Sequence, residues 1–171
     1  MILDATLALS TNQAVTVTAV SQNVLDLAGL GVGVPVANKF GVENTSFGED
    51  IGGGGPHAEA PQLLVQVGTA FTAGGSATLR VQLQAAVDTS NSGTPGTWQT
   101  IEQTDDIAVA LLTAGAQVAN FTVPKRYLGQ NFPRFYRLNY IVSTGPMTAG
   151  TIGYAGILTG VDDAPMYPNA Y

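Results

Sequence analysis

SATLRVQLQAAVD, residues 76–88, alternates apolar and polar side chains. Leu79, Val81 and Leu83 fall on one face and Arg80, Gln82 and Gln84 on the other, the period of two that a strand shows when one face is buried and the other meets water. The same period recurs on both sides. Residues 13–20 (QAVTVTAV) and 23–27 (NVLDL) precede it, and residues 62–71 (QLLVQVGTAF) lie just before it. After it, a turn cluster at 89–97 leads into a strand at 98–104, so that this strand and the quoted one form a hairpin. Residues 118–123, 135–142 and 150–160 complete the set. Asp105 and Asp106 introduce IAVALLTAG, which reads either as one or two helical turns ended by Gly115 or as a loop; the loop reading is adopted. About eight strands at regular spacing, with no amphipathic helix longer than two turns, predict an all-β antiparallel jelly roll or β-sandwich.

The 171 residues suffice for one self-sustaining domain, 1–171. Within it, residues 1–12 read as an N-terminal arm and 28–61 as a long irregular loop rich in glycine, far beyond the usual connection length. Residues 162–171, with two prolines and two tyrosines, read as an extended tail. The tetrapeptides FTAG at 71–74 and MTAG at 147–150 predict two similar hairpins, each using glycine where φ turns positive.

Composition excludes several functions. Charged residues are 11% of the chain, less than half the usual share, so the surface is built from threonine, serine, asparagine, glutamine and glycine. Such a surface suits faces covered by other chains, although threonine-rich extracellular β-domains share it. Six basic against 12 acidic residues give a net charge of -6, the wrong sign for a nucleic-acid binder. With no cysteine there is no disulfide, thiolate metal site or cysteine nucleophile. No apolar window reaches membrane-spanning length, and the N-terminal stretch lacks the basic region of a signal peptide, so synthesis in a cytoplasm, and retention or assembly there, are expected.

No chemical motif stands. GEDIGGGGP at 48–56 lacks the Lys-Ser/Thr ending of a phosphate-binding loop, and a strand rather than a helix follows it. His57 is the sole histidine and has no nucleophile-elbow serine to serve, Ser46 included. Glu43, Glu49, Asp50 and Glu59 match no calcium-loop spacing and read as solvated acids. The pairs Asp105–Asp106 and Asp162–Asp163 read as turn acids rather than glycosidase carboxylates. The chain is therefore expected to be no enzyme and to hold no metal or cofactor. Lys125, Arg126, Arg134 and Arg137, interleaved with Tyr127, Phe132, Phe135, Tyr136 and Tyr140, have the composition of a protein-interface hot spot. The partner-binding residues expected on these grounds are Met1, Ile2 and Leu3 of the arm, Glu49, Asp50 and Ile51 of the loop, Arg126, Tyr127, Arg134 and Tyr136 of the basic–aromatic cluster, and Met166, Tyr167 and Tyr171 of the tail.

The order of these features is similar to a known family. Asp4-Ala-Thr, QAVT at 13–16, NVLDL at 23–27, LVQVGTAFTAGGSATL at 64–79, the Trp98 strand, RFYRLNY at 134–140 and TGPMTAG at 144–150 resemble the jelly-roll capsid cement, or decoration, proteins of short-tailed bacteriophages. The resemblance spans nearly the whole chain; the 31–61 loop and the Pro-Tyr tail depart from it. It implies a structural virion protein on the outer surface of the head, a homo-oligomer with a dimer favoured over a trimer, whose partner is the major capsid protein and which touches neither nucleic acid nor membrane. The competing reading is a carbohydrate-binding β-sandwich module using Trp98, Tyr127 and Tyr154. A metal-dependent jelly-roll enzyme would need several histidines where this chain has one.

Overall fold

A computed structural model describes residues 2–27, 61–88, 93–123 and 133–159, with the side chains of 2–6 and 159 left aside. Twelve strands lie among the described residues: β1 (Ile2–Ala14), β2 (Ala19–Val20), β3 (Leu25–Asp26), β4 (Gln62–Val67), β5 (Thr72–Ala73), β6 (Thr78–Ala86), β7 (Gln99–Gln103), β8 (Ile107–Ala108), β9 (Gln117–Thr122), β10 (Phe135–Ser143), β11 (Met147–Ala149) and β12 (Thr151–Thr159). One sheet has the order β1-β12-β4-β9. The other has the path β2-β10-β6-β7, with β3 also on β10 and β8 also on β6. All pairings in them are antiparallel. Because β2 and β3 share one edge and β7 and β8 share the other, the two sheets offer eight strand positions. The chain passes from sheet to sheet between them, which is jelly-roll connectivity. The expected all-β sandwich is thus the fold.

Alternation builds its core. Leu79, Val81, Leu83 and Ala85 of β6 stand opposite Val142, Tyr140, Leu138 and Tyr136 of β10, and all but the partly buried Val142 are fully buried. Leu63, Val65 and Val67 of β4, Ala155 and Ile157 of β12, and Leu7 and Leu9 of β1 line the facing sheet. Each large apolar side chain so enclosed contributes about 1.5–3 kcal/mol relative to exposure. The sheets are also joined by a polar contact. Ser10 Oγ gives its proton to Gln13 Oε1 at 2.7 Å, so the 2.8 Å contact between Ser10 and Tyr140 has the tyrosine hydroxyl as donor.

Burial pushes the hydroxyl pKa of Tyr140 and of Tyr136 above the ordinary tyrosine value. In the unfolded chain both ionise near pH 10, so their contribution to stability is intact below that pH. Above it, the unfolded state sheds protons that the fold retains. The urea midpoint is therefore expected to fall steadily from about pH 10 upward, and Tyr140→Phe is expected to flatten that fall. A midpoint as insensitive at pH 11 as at pH 8 would contradict the assignment.

Four local expectations need correction. Of the 1–12 arm, residues 2–12 belong to a strand: β1 pairs along β12, with Ile2 opposite Thr159 and Leu3 opposite Leu158, because the alternation that buries Leu7 and Leu9 is a strand's. Residues 13–20 are not one strand. The chain leaves the first sheet at Ala14 and joins the second at Ala19, with Val15 N–H donating to Gly150 O and Thr16 O accepting from Met147 N–H in between. The FTAG and MTAG segments do not turn separate hairpins but pair with each other, β5 on β11, with the hydroxyls of Thr72 and Thr148 at 2.7 Å. Of their two glycines only Gly150 has a positive φ. Finally, residues 107–115 hold the short β8 and one 3-10 turn at Val109–Leu111 that ends at Leu112, followed by a separate turn with Gly115 at φ +82.

The outward edge of β1 is occupied. Asn23 donates from its backbone N–H to Leu9 O and from Nδ2 to Ala8 O, both at 2.9 Å, while Gln22 Oε1 accepts from Thr11 N–H at 2.9 Å.

Candidate interaction surface

The outward face of the six-stranded sheet follows from the same alternation that built its core. With Leu79, Val81 and Leu83 turned inward, β6 must present Arg80, Gln82 and Gln84. Register then decides their neighbours: Gln84 lies between Arg137 of β10 and Thr100 of β7, and Gln82 between Asn139 and Gln103. Arg137 Nε donates to Gln84 Oε1 at 2.9 Å, Gln84 Nε2 to Gln82 Oε1 at 3.4 Å, and Gln82 Nε2 to Gln103 Oε1 at 2.8 Å. Asn139 Nδ2 joins at Gln82 Oε1, 3.0 Å away. Every donor points the same way, from the guanidinium toward β7, so each bond polarises the next.

Trp98, the chain's only tryptophan, lies just before β7 and carries the Arg137 guanidinium 4.2 Å from its ring centroid. Both side chains are half-buried. The stack and the Gln84 bond fix the plane of the guanidinium, as cation–π contacts of arginine do. Burial lowers the Arg137 pKa. At the other end of the face, Arg80 grips Asp106 with a two-pronged contact, Nη2 to Oδ2 at 2.8 Å and Nε to Oδ1 at 3.1 Å. Their side chains are 34% and 44% exposed, so this pair adds little to stability. Asp106 therefore serves Arg80, and no group of three metal-ligating side chains occurs among the described residues.

The basic–aromatic cluster separates. Arg137 reaches the outer face, but Arg134 turns to Asp26 and Asp88, with Nε–Oδ1 2.7 Å and Nη2–Oδ2 2.8 Å to the first and Nη1–Oδ2 2.6 Å to the second. These carboxylates, the Asp26 hydrogen bond first, raise the Arg134 pKa despite burial. Tyr136 is 2% exposed and faces the core opposite Ala85. Both residues are thus interior to this chain rather than displayed for a partner, because a strand must send every second side chain inward and a buried guanidinium needs carboxylates. Arg126 and Tyr127 lie outside the described residues, as do Met1, Glu49, Asp50, Ile51, Met166, Tyr167 and Tyr171, and the 28–60 and 162–171 segments with them. Ile2 and Leu3 fall in β1.

The amide chain and the Trp98–Arg137 stack were not foreseen. The alternation of 76–88 and 135–142 puts the right side chains on an outward face. What it does not disclose is that β10 and β7 are the strands flanking β6.

A family model described as Bbp16 matches residues 9–156. No curated protein matches the chain.

Proposed function

The chain belongs to the Bbp16 family, a phage-associated family, and is a phage-related structural protein; from that premise we propose that it binds the outside of a bacteriophage head and cements neighbouring major capsid protein subunits. The observation that carries this reading is the extent of the family match, which runs from β1 into β12 and so takes in the jelly roll from its first strand to its last. The family character resides in the scaffold itself. A stiff sandwich resists shear, and many modest contacts repeated by capsid symmetry add through avidity. The chain's low charge content lets its faces pack against other subunits with few ions to strip of water. The outer amide face fits that use, since its polar groups are already engaged with one another. In this reading the protein turns over no substrate, and it acts as a homo-oligomer on the virion surface.

Stacking aromatics in a carbohydrate module must converge on one groove. Here Trp98 adjoins β7 of one sheet and Tyr154 belongs to β12 of the other, so among the described residues the two do not share a sheet face as a sugar platform would require; Tyr127 lies outside them.

Purified protein mixed with expanded heads that lack it is expected to co-sediment saturably and to raise the temperature at which the heads break open. Absence of binding to such heads would sink the proposal.

A further inference from the structure

We infer that Arg137, held flat on Trp98 in the outer face of the six-stranded sheet, is the anchor for an aspartate or glutamate side chain of the protein shell on which this chain sits. The inference rests on the capsid-binding reading and adds the face and the chemistry of the contact.

Three described arginines can be compared. Arg80 has Asp106, and Arg134 has Asp26 and Asp88. Arg137 is held by an amide oxygen and an aromatic ring, and among the described residues no carboxylate lies within ion-pair distance of it. A cation partly stripped of water without a counter-charge is unfavourable, and its lowered pKa registers that cost. Among the described arginines, Arg137 is thus the one whose charge no described carboxylate meets.

Geometry agrees. The Nε–H of Arg137 is committed to Gln84, which leaves the two terminal Nη groups as the open fork, and a fork of that shape receives a carboxylate through two parallel hydrogen bonds. The ring of Trp98 keeps the guanidinium from folding away, so little ordering remains for the moment of binding. Beside this stack lie neutral amides already bonded to each other, a neighbourhood that is cheap to desolvate. Tryptophan and arginine are the residue types that dominate interface energetics. A phosphate backbone offers anions too, but the net charge of -6 repels a polyanion, whereas a single protein carboxylate meets only the local field.

The test is co-sedimentation with expanded, undecorated heads, comparing wild type with Arg137→Gln, Arg137→Glu and Arg137→Lys. Gln117→Glu, which makes the same change in net charge as Arg137→Gln on an exposed position of the other sheet, is the control. Circular dichroism with urea unfolding checks that each variant is folded. Arg137→Gln is expected to weaken binding at least about tenfold and Arg137→Glu about tenfold more, because a glutamate there would repel the partner carboxylate. Arg137→Lys should recover only part of the loss, having neither fork nor stack. Gln117→Glu should bind as wild type does. If wild type binds but the Gln and Glu variants bind equally well, the anchor assignment is wrong and the capsid reading stands. If Gln and Glu weaken binding to the same degree, the partner group is not a carboxylate. If wild type itself fails to bind, the capsid reading falls first.

Discussion

Arg134→Ala is expected to lower the unfolding free energy by about 3–5 kcal/mol, a large part of what a domain of this size possesses. The substitution removes the guanidinium, itself 11% exposed, that Asp26 and Asp88 share; their side chains are 5% and 6% exposed, and Asp88 also accepts Gly93 N–H at 2.9 Å. The cluster ties three places together. Asp26 belongs to β3, Asp88 follows β6, and Arg134 stands just before β10, where its N–H donates to Ala86 O and its carbonyl accepts from Leu27 N–H. Alanine would thus take a shared counter-charge away from two buried carboxylates where the edge strand, the central strand and their neighbour meet. The sharper measurement compares Arg134→Met with the triple variant Asp26→Leu/Asp88→Leu/Arg134→Met in urea. If the penalty arises from stranded carboxylates, the triple variant is expected to be more stable than the single one, since all three charges leave together. A single substitution costing under about 1 kcal/mol would show that the cluster is not a buried ionic unit.

Gly150→Ala is expected to cost roughly 2–6 kcal/mol, combining about 1–3 for forcing a side chain onto a glycine backbone conformation with about 1–3 for overpacking. Gly150 has φ +139, and a methyl group there would lie 2.2 Å from Cδ1 and 2.4 Å from Cγ of the buried Phe71. Neither partner has room to yield. Phe71 is pinned by its N–H to Leu112 O, and Gly150 O receives Val15 N–H at the point where the chain crosses between sheets. The matched experiment uses the other member of the repeated Thr-Ala-Gly. A Cβ on Gly74 would meet nothing within 4 Å, so Gly74→Ala is expected to change thermal unfolding by a degree or two at most, while Gly150→Ala lowers it by many. Equal effects from the two would refute the steric account.

That pair of glycines also marks how far a one-dimensional reading extends. Alternation in 76–88 correctly separated inward from outward side chains, since it depends only on that strand's own period, whereas Tyr136, expected at an interface, faces the core. Jelly-roll architecture was legible for the same reason, through the number and spacing of such strands. Identical tripeptides, by contrast, carry no mark of being each other's partner, and β5 meets β11 only because the fold brings residues 72 and 149 together. Arg134 shows the limit most plainly. Its composition-based assignment to an interface weighed the neighbouring aromatics, whereas its ligand Asp26 lies 108 positions away and could not enter that reckoning. Trp98 and Arg137 were both visible as residues of interest, and only the register of β6 with its two neighbours made them a site.

The sealed rim of β1 has a bearing on how the protein behaves before it reaches any partner. An outermost strand with idle amide and carbonyl groups is a template on which a second chain can add itself, and repetition of that step leads to fibrous aggregate. Along β1, the carbonyls of Ala8 and Leu9 and the N–H of Thr11 are already taken by Asn23 and Gln22. Such a lock matters most for a molecule made in quantity with few charges to keep copies apart. Asn23→Ala would remove no core contact, yet it would free the Ala8 carbonyl, the first of these groups that a stranger could take.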